Sequence, residues 1–155
     1  MKVREASNKD INKMLDLLYQ VNLVHHNGRP DLFKIGRKYN EEDLKEIIKD
    51  QNKPTFVAVD DNDEVLGYAF CVKKRHENDS IMTDVASLYI DDLCIDENSR
   101  GHHIGSKIFE YVKAYAKENG FYSVTLNVWE LNESAYKFYE KCGLKPLKTT
   151  MESIL

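Results

Sequence analysis

The stretch Tyr89–Glu110, YIDDLCIDENSRGHHIGSKIFE, changes its periodicity midway. Tyr89, Ile90, Leu93 and Ile95 lie in a run with strand propensity. The run breaks at Glu97-Asn98-Ser99 and passes through Arg100-Gly101-His102-His103-Ile104-Gly105. Apolar residues then recur at Ile104, Ile108, Val112 and Ala116, which is helical spacing. The pattern predicts a strand, a glycine-containing loop and a helix. Such a loop presents backbone N–H groups that have no intrahelical partner, and the helix dipole favours negative charge there. Two readings are open: an anion site, phosphate above all, or an ordinary tight turn. A Walker loop is excluded, because three residues separate Gly101 from Gly105 and the order is Gly105-Ser106-Lys107. A dinucleotide fingerprint is excluded for want of a third glycine.

The rest of the chain bounds what that unit belongs to. Its 155 residues suit one domain, 1–155, large enough to bury a core. A net charge of −4 without a basic stripe argues against a nucleic-acid partner and leaves room for a cationic amine. No apolar run reaches membrane-span length and no signal-peptide pattern opens the sequence, so a cytoplasmic protein without a membrane partner is expected. Cys71, Cys94 and Cys142 are odd in number, dispersed and without a C-x-x-C pair. That indicates neither disulfides nor a zinc site, and small buried residues fit better.

Read in order, Lys2–Ala6 forms a short strand, and Ser7 with Asp10 forms a helix N-cap. Ile11, Met14, Leu15, Leu18 and Val21 then share one helical face that ends near Gly28. A second helix runs from about Glu41 to Lys49. Thr55–Val59 and Val65–Val72 read as a hairpin. After the long strand ending at Ile95, the helix beyond the glycine loop reaches Asn119, with Gly120 as its cap. Val124, Leu126 and Val128 alternate as a fifth strand, and a helix covers about Asn132 to Cys142. Two short strands, around Leu144–Lys148 and Thr150–Ile154, complete the order βααβββαβαββ. The expected class is mixed α/β (α+β), with a twisted, mostly antiparallel sheet flanked by helices.

A second signature lies downstream: Asn132-Glu133-Ser134-Ala135-Tyr136-Lys137-Phe138-Tyr139-Glu140-Lys141-Cys142-Gly143-Leu144. Together the two stretches resemble the GNAT superfamily of acyl-CoA-dependent N-acyltransferases. Arg100 and Gly105 match its Arg/Gln-x-x-Gly-x-Gly/Ala loop. Asn132, Ala135, Phe138, Tyr139, Lys141 and Gly143 match its Asn-x-x-Ala-x-x-Phe-Tyr-x-Lys-x-Gly-Phe segment. One departure stands out: His103 occupies the place of the family's middle glycine.

The resemblance implies acetyl transfer from acetyl-CoA, as co-substrate and without a metal, to a primary amine of a small molecule or a peptide. It implies cofactor contacts from the backbone of Leu93, Cys94 and Ile95, from Arg100 and the loop Gly101, His102, His103, Ile104, Gly105 and Ser106, and from Asn132. Lys137 and Lys141 lie near the nucleotide phosphates or on a solvated helix face. Acceptor contacts are expected from the region holding His25, Arg29 and Phe33, and a homodimer is possible. Tyr139 is implied as the proton donor to the leaving thiolate, although a core aromatic in the stripe Tyr136, Phe138, Tyr139 also fits. The attacking amine must be neutral, against an ordinary alkyl-ammonium pKa of about 10.4. Asp91 and Asp92 are the candidate bases. As neighbours on a strand they point to opposite faces, so one at most would face the acceptor. Asp91 stands where a polyamine-acetylating branch of the family has a substrate-binding glutamate. The competing class is a non-catalytic acyl-CoA-binding sensor, for which His103 is the main support.

Overall fold

The computed structural model describes every residue from Met1 to Leu155. Five strands form one sheet in sequential order: β1 (Lys2–Glu5), β2 (Thr55–Val59), β3 (Val65–Arg75), β4 (Ala86–Ile95) and β5 (Ser123–Leu126). The first three pairings are antiparallel, and β4 pairs with β5 in parallel. The parallel pair requires a crossover. Helix α3 (Ile104–Glu118) supplies it and packs on one face of the sheet. Helices α1 (Ile11–Gly28) and α2 (Glu41–Lys49) cover the other face, and α4 (Glu133–Lys141) follows β5.

Strand alternation divides the core in two. Val57, Val59, Tyr68 and Phe70 turn toward α1 and α2, where they meet Met14, Leu17, Leu18 and Leu44. Phe56, Ala58, Ala69 and Cys71 turn toward α3, where they meet Ile108, Phe109 and Val112. The central strands are therefore apolar on both faces, which explains why Phe56–Val59 of β2 read as an unbroken apolar run. The expected Ser7–Asp10 device is present: the Asp10 carboxylate accepts from Ser7 N–H at 2.8 Å and from its hydroxyl at 3.0 Å. Asp10 also takes both terminal nitrogens of Arg4, each at 2.8 Å, and so joins β1 to the start of α1.

Two expectations are corrected. No strand forms after α4: residues 142–155 carry no regular element, so the observed order is βααβββαβα. The alternation of β4 is also interrupted. Phe70 lies opposite Asp92 while Cys71 lies opposite Ile90, so Asp91 is an extra, unopposed residue in β4. Leu88 and Ile90 face α3, whereas beyond the bulge Cys94 faces α1. This bulge brings Asp91 and Asp92 to the same side of the sheet, against the opposite-face expectation.

Candidate active site

The sheet opens where β5 ends. Its pairing with β4 covers Ser87–Ile90 opposite Ser123–Leu126, and β4 then continues to Ile95 with β3 alone at its side. The Asp96 N–H donates to Leu66 O at 2.9 Å. Counting back along the antiparallel alternation from that pair turns the Cys94 backbone toward Tyr68 and leaves Leu93 and Ile95 facing the gap. Two of the three expected backbone contributors thus border an open edge.

The acids beside the gap behave differently. The Asp91 carboxylate accepts from Lys38 Nζ at 2.9 Å and from the Tyr39 hydroxyl at 2.7 Å. Burial pushes the Asp91 pKa up, but those two donors outweigh it and hold the group below its ordinary value. Asp91 is therefore a spoken-for anion that fastens the segment between α1 and α2 onto β4. Asp92 accepts one side-chain hydrogen bond, from the Tyr68 hydroxyl at 2.8 Å. Burial raises its pKa to about 6, which is suitable for a group that must both take and release a proton near neutrality. Tyr68 and Phe70, ring centroids 4.6 Å apart, stand beside it on β3; the Tyr68 hydroxyl bond pulls the Asp92 pKa down, and burial outweighs it.

Tyr139 sits on α4, whose N-terminus is capped by Asn132 accepting from Ala135 N–H at 3.3 Å. Burial first, then the charges of Asp92 and the neighbouring thiols, push the Tyr139 phenol well above its ordinary value. It is a protonated donor at any physiological pH. The aromatic stripe is split by role: Phe138 packs into the α3-side core, Tyr136 is exposed, and Tyr139 stands within electrostatic reach of Asp92.

At the start of α3 the backbone N–H groups from Gly101 to Ser106 donate to no protein acceptor; the first inward bond is Lys107 N–H to His103 O at 3.1 Å. Gly101 has φ +83°, a left-handed conformation that suits glycine. His103 takes φ 58° and ψ 20°, also left-handed, so the loop keeps the bend that a glycine there would allow. The ground for a sensor rather than an enzyme is thereby weakened. Gly105 has a different reason to be glycine: a Cβ would meet the Phe138 ring at 3.1 Å. It lets α4 press against the base of α3, and with it Tyr139 toward the gap.

On the acceptor side, His25 and Phe33 come together with ring centroids 5.0 Å apart. Trp129, in the segment after β5, closes the group at 4.9 Å from Phe33 and 6.5 Å from His25. Burial and the Lys38 charge hold the His25 pKa below its ordinary value, so its ring is neutral at physiological pH. Arg29 lies apart from this wall; its guanidinium donates to Asp31 and Glu152 on the surface. Sequence reading missed Trp129, Lys38, Tyr39 and Tyr68. Trp129, the single tryptophan of the chain, offered the one available signal, because it lies between β5 and the Asn132 segment. A hollow of about 300 Å³ lies elsewhere, at Lys9, Asp10, Lys13 and Asn62–Val65. Lys9, Asp10, Lys13 and Asp63 in its lining are already engaged in ion pairs, and it has no aromatic wall.

The family model for the Acetyltransferase (GNAT) family matches residues 21–144. Tyramine N-feruloyltransferase 4/11 of Nicotiana tabacum is 32% identical over 108 residues, 66% of this chain and 46% of that protein. Peptidyl-lysine N-acetyltransferase YjaB of Salmonella typhimurium is 30% identical over 105 residues, 66% of this chain and 59% of that protein. The chain spans about half the length of the first of these curated relatives. Among solved structures, a mutant of the BH1408 protein from Bacillus halodurans superposes with TM-score 0.96 at 29% identity, covering 100% of this chain and 99% of its own. An aminoglycoside N-acetyltransferase solved with CoA shares the fold, with TM-score 0.74 at 11% identity over 99% of this chain and 98% of its own.

Proposed function

This chain belongs to the GNAT acetyltransferase family, and we propose that it moves an acetyl group from acetyl-CoA to a primary amine by direct attack, with no covalent enzyme intermediate. The observation that carries this reading is the pairing of Asp92, a carboxyl poised at about 6, with Tyr139, a phenol held protonated, beside the gap between β4 and β5.

The unpaired N–H groups at the start of α3 fit a pyrophosphate, with the helix dipole behind them and Arg100 at the loop's entrance. A pantetheine arm fits the open edge of β4, which offers backbone partners at Leu93 and Ile95. The amine nitrogen attacks the thioester carbon, and a C–N bond forms as the carbonyl oxygen takes up charge. The gap-facing N–H groups of β4 donate to that oxygen in this reading. The nitrogen becomes strongly acidic once bonded to carbon, and Asp92 takes its proton. The C–S bond then breaks, and the departing thiolate takes the Tyr139 proton. Asn132 contributes through α4, whose first turn it caps.

The wall of His25, Phe33 and Trp129 favours an acceptor whose amine is borne on an apolar or planar stem. Because Lys38 already neutralises Asp91, the ground for a polyamine is reduced to the single carboxylate of Asp92. The named activities of the relatives, on tyramine and on peptidyl lysine, both concern an amine on such a stem.

The test is thiol release from acetyl-CoA over a panel holding an arylalkylamine, a lysine peptide and spermidine. Wild type releases thiol with at least one of them. Tyr139→Phe lowers kcat by roughly 10²–10⁴-fold while the Kd for acetyl-CoA, measured by calorimetry, changes little. Tight cofactor binding with no release on any amine would overturn the enzymatic reading.

A further inference from the structure

The segment between α1 and α2, residues 29–40, carries no regular element, and its C-terminal end meets β4 at one carboxylate. Asp91 accepts from Lys38 Nζ at 2.9 Å and from the Tyr39 hydroxyl at 2.7 Å, both on the same oxygen. Tyr39 is anchored independently of that bond. Its ring meets Phe70 edge-on with centroids 5.7 Å apart and packs against the α1-side core. Lys38 has no such anchor. Its side chain is 46% exposed, and an ion pair in that setting adds little stability. Its charge is therefore the property to account for.

That charge acts among few others. The β4 bulge puts Asp92 on the same side of the sheet as Asp91. The titratable groups around Asp92 are Tyr68 on β3, Tyr89, Asp91 and Cys94 on β4, Lys38 and Tyr39 on the segment, and Tyr139 on α4. Helix α1 faces this part of the core with Met14, Leu17 and Leu18, and its His25 is neutral. Lys74 lies over the Tyr89 ring at 3.6 Å and acts on Asp91, and Asp43 on α2 acts on Tyr39. Burial raises the phenols of Tyr39, Tyr68, Tyr89 and Tyr139 and the thiol of Cys94, so these are uncharged near neutrality. Asp91 is held ionised by its two donors. Two charges of opposite sign remain: Lys38 favours the ionised form of Asp92, and Asp91 opposes it. Without Lys38 the adjacent like charge would add to burial and keep Asp92 protonated at neutral pH.

We propose that Lys38 and Asp91 form a matched charge pair that sets how tightly Asp92 holds a proton, with Lys38 as a positioning residue that touches no substrate. The pair keeps Asp92 ionised at neutral pH, ready to take the proton of the attacking amine. That consequence rests on the acetyl-transfer reading; the pair itself does not. Phe33 and Lys38 lie on one segment, so the aromatic wall and the charge that readies Asp92 reach the site together.

Carboxyl carbon-13 NMR of the full chain, labelled at aspartate, follows the Asp92 titration, its resonance identified by its loss in Asp92→Asn. Lys38→Met should move the midpoint upward by about 0.5–1 pH unit, because it removes the cation and leaves the like charge unopposed. Asp91→Asn should move it downward by a similar amount, because it removes the like charge and frees the cation. The double variant should return close to wild type, and Lys38→Arg should match wild type. A merely structural clamp loses the same contact in both single variants. It would move the midpoint in one direction in both, or in neither, and either result would overturn the inference. Should Asp91→Asn fail to fold, the lysine variants decide: no rise in Lys38→Met, or an equal rise in Lys38→Arg, would overturn it. The kcat/KM profile for thiol release separates the pair from the reaction. Midpoints that move as expected while the kinetic profile stays fixed would count against Asp92 as the base and would uphold the pair.

Discussion

Keeping Asp92 ionised beside Tyr68 and behind Phe70 opposes folding, and the direction of that opposition is measurable. Its folded pKa of about 6 lies above the ordinary carboxyl value, so the folded chain binds the proton more tightly than the unfolded chain. Stability from this group is fully present below about pH 3.9 and is lost as pH rises through about 6, to an upper limit of about 3 kcal/mol. Asn at this position removes the charge and retains an acceptor for the Tyr68 hydroxyl. Asp92→Asn is therefore expected to match wild type in urea unfolding at pH 4 and to exceed it at pH 7.5. Equal stability at both pH values would contradict a raised Asp92. The sequence shows two adjacent carboxylates and no reason to prefer either. That preference comes from Lys38 and Tyr39 occupying Asp91, contacts spanning 53 and 52 residues of sequence that no local pattern encodes.

At the scale of elements, the strand–loop–helix unit was the most legible part, because its signals are local: a change of period and glycines at a turn. The loop's glycines were recognised, but the reason for Gly105 was not, since Phe138 approaches it from α4. Gly105→Ala is expected to destabilise by about 1–3 kcal/mol through overpacking and to weaken acetyl-CoA binding as α4 is pushed outward. Calorimetry of acetyl-CoA binding, with thermal unfolding, checks both effects; unchanged values would mean Phe138 yields freely. The β4 bulge was illegible for a related reason. Alternation predicts faces only for a regular strand, and the extra residue is visible only against the register of β3. The two closing strands were expected from composition, which holds for residues 145–155 whether or not a pairing edge is available within the same chain.

At the scale of the molecule, the five strands lie in sequential order although β1 reaches β2 only through α1 and α2, and the mixed, mostly antiparallel sheet was legible from the order of elements. The gap was not legible, since it depends on β5 being only four residues long while β4 runs on. That mismatch is what brings Asp92, Tyr139 and the free edge of β4 to one place. The central claim is that Asp92 takes the amine's proton there. The pH dependence of thiol release, measured as kcat/KM from pH 5 to 9 for wild type and Asp92→Asn with the best acceptor, tests it most directly. The account predicts a wild-type profile with an ionisation near 6 that is absent from Asp92→Asn, together with a loss of roughly 10²–10⁴-fold on its plateau. An Asp92→Asn enzyme that keeps both its plateau rate and that ionisation would contradict it.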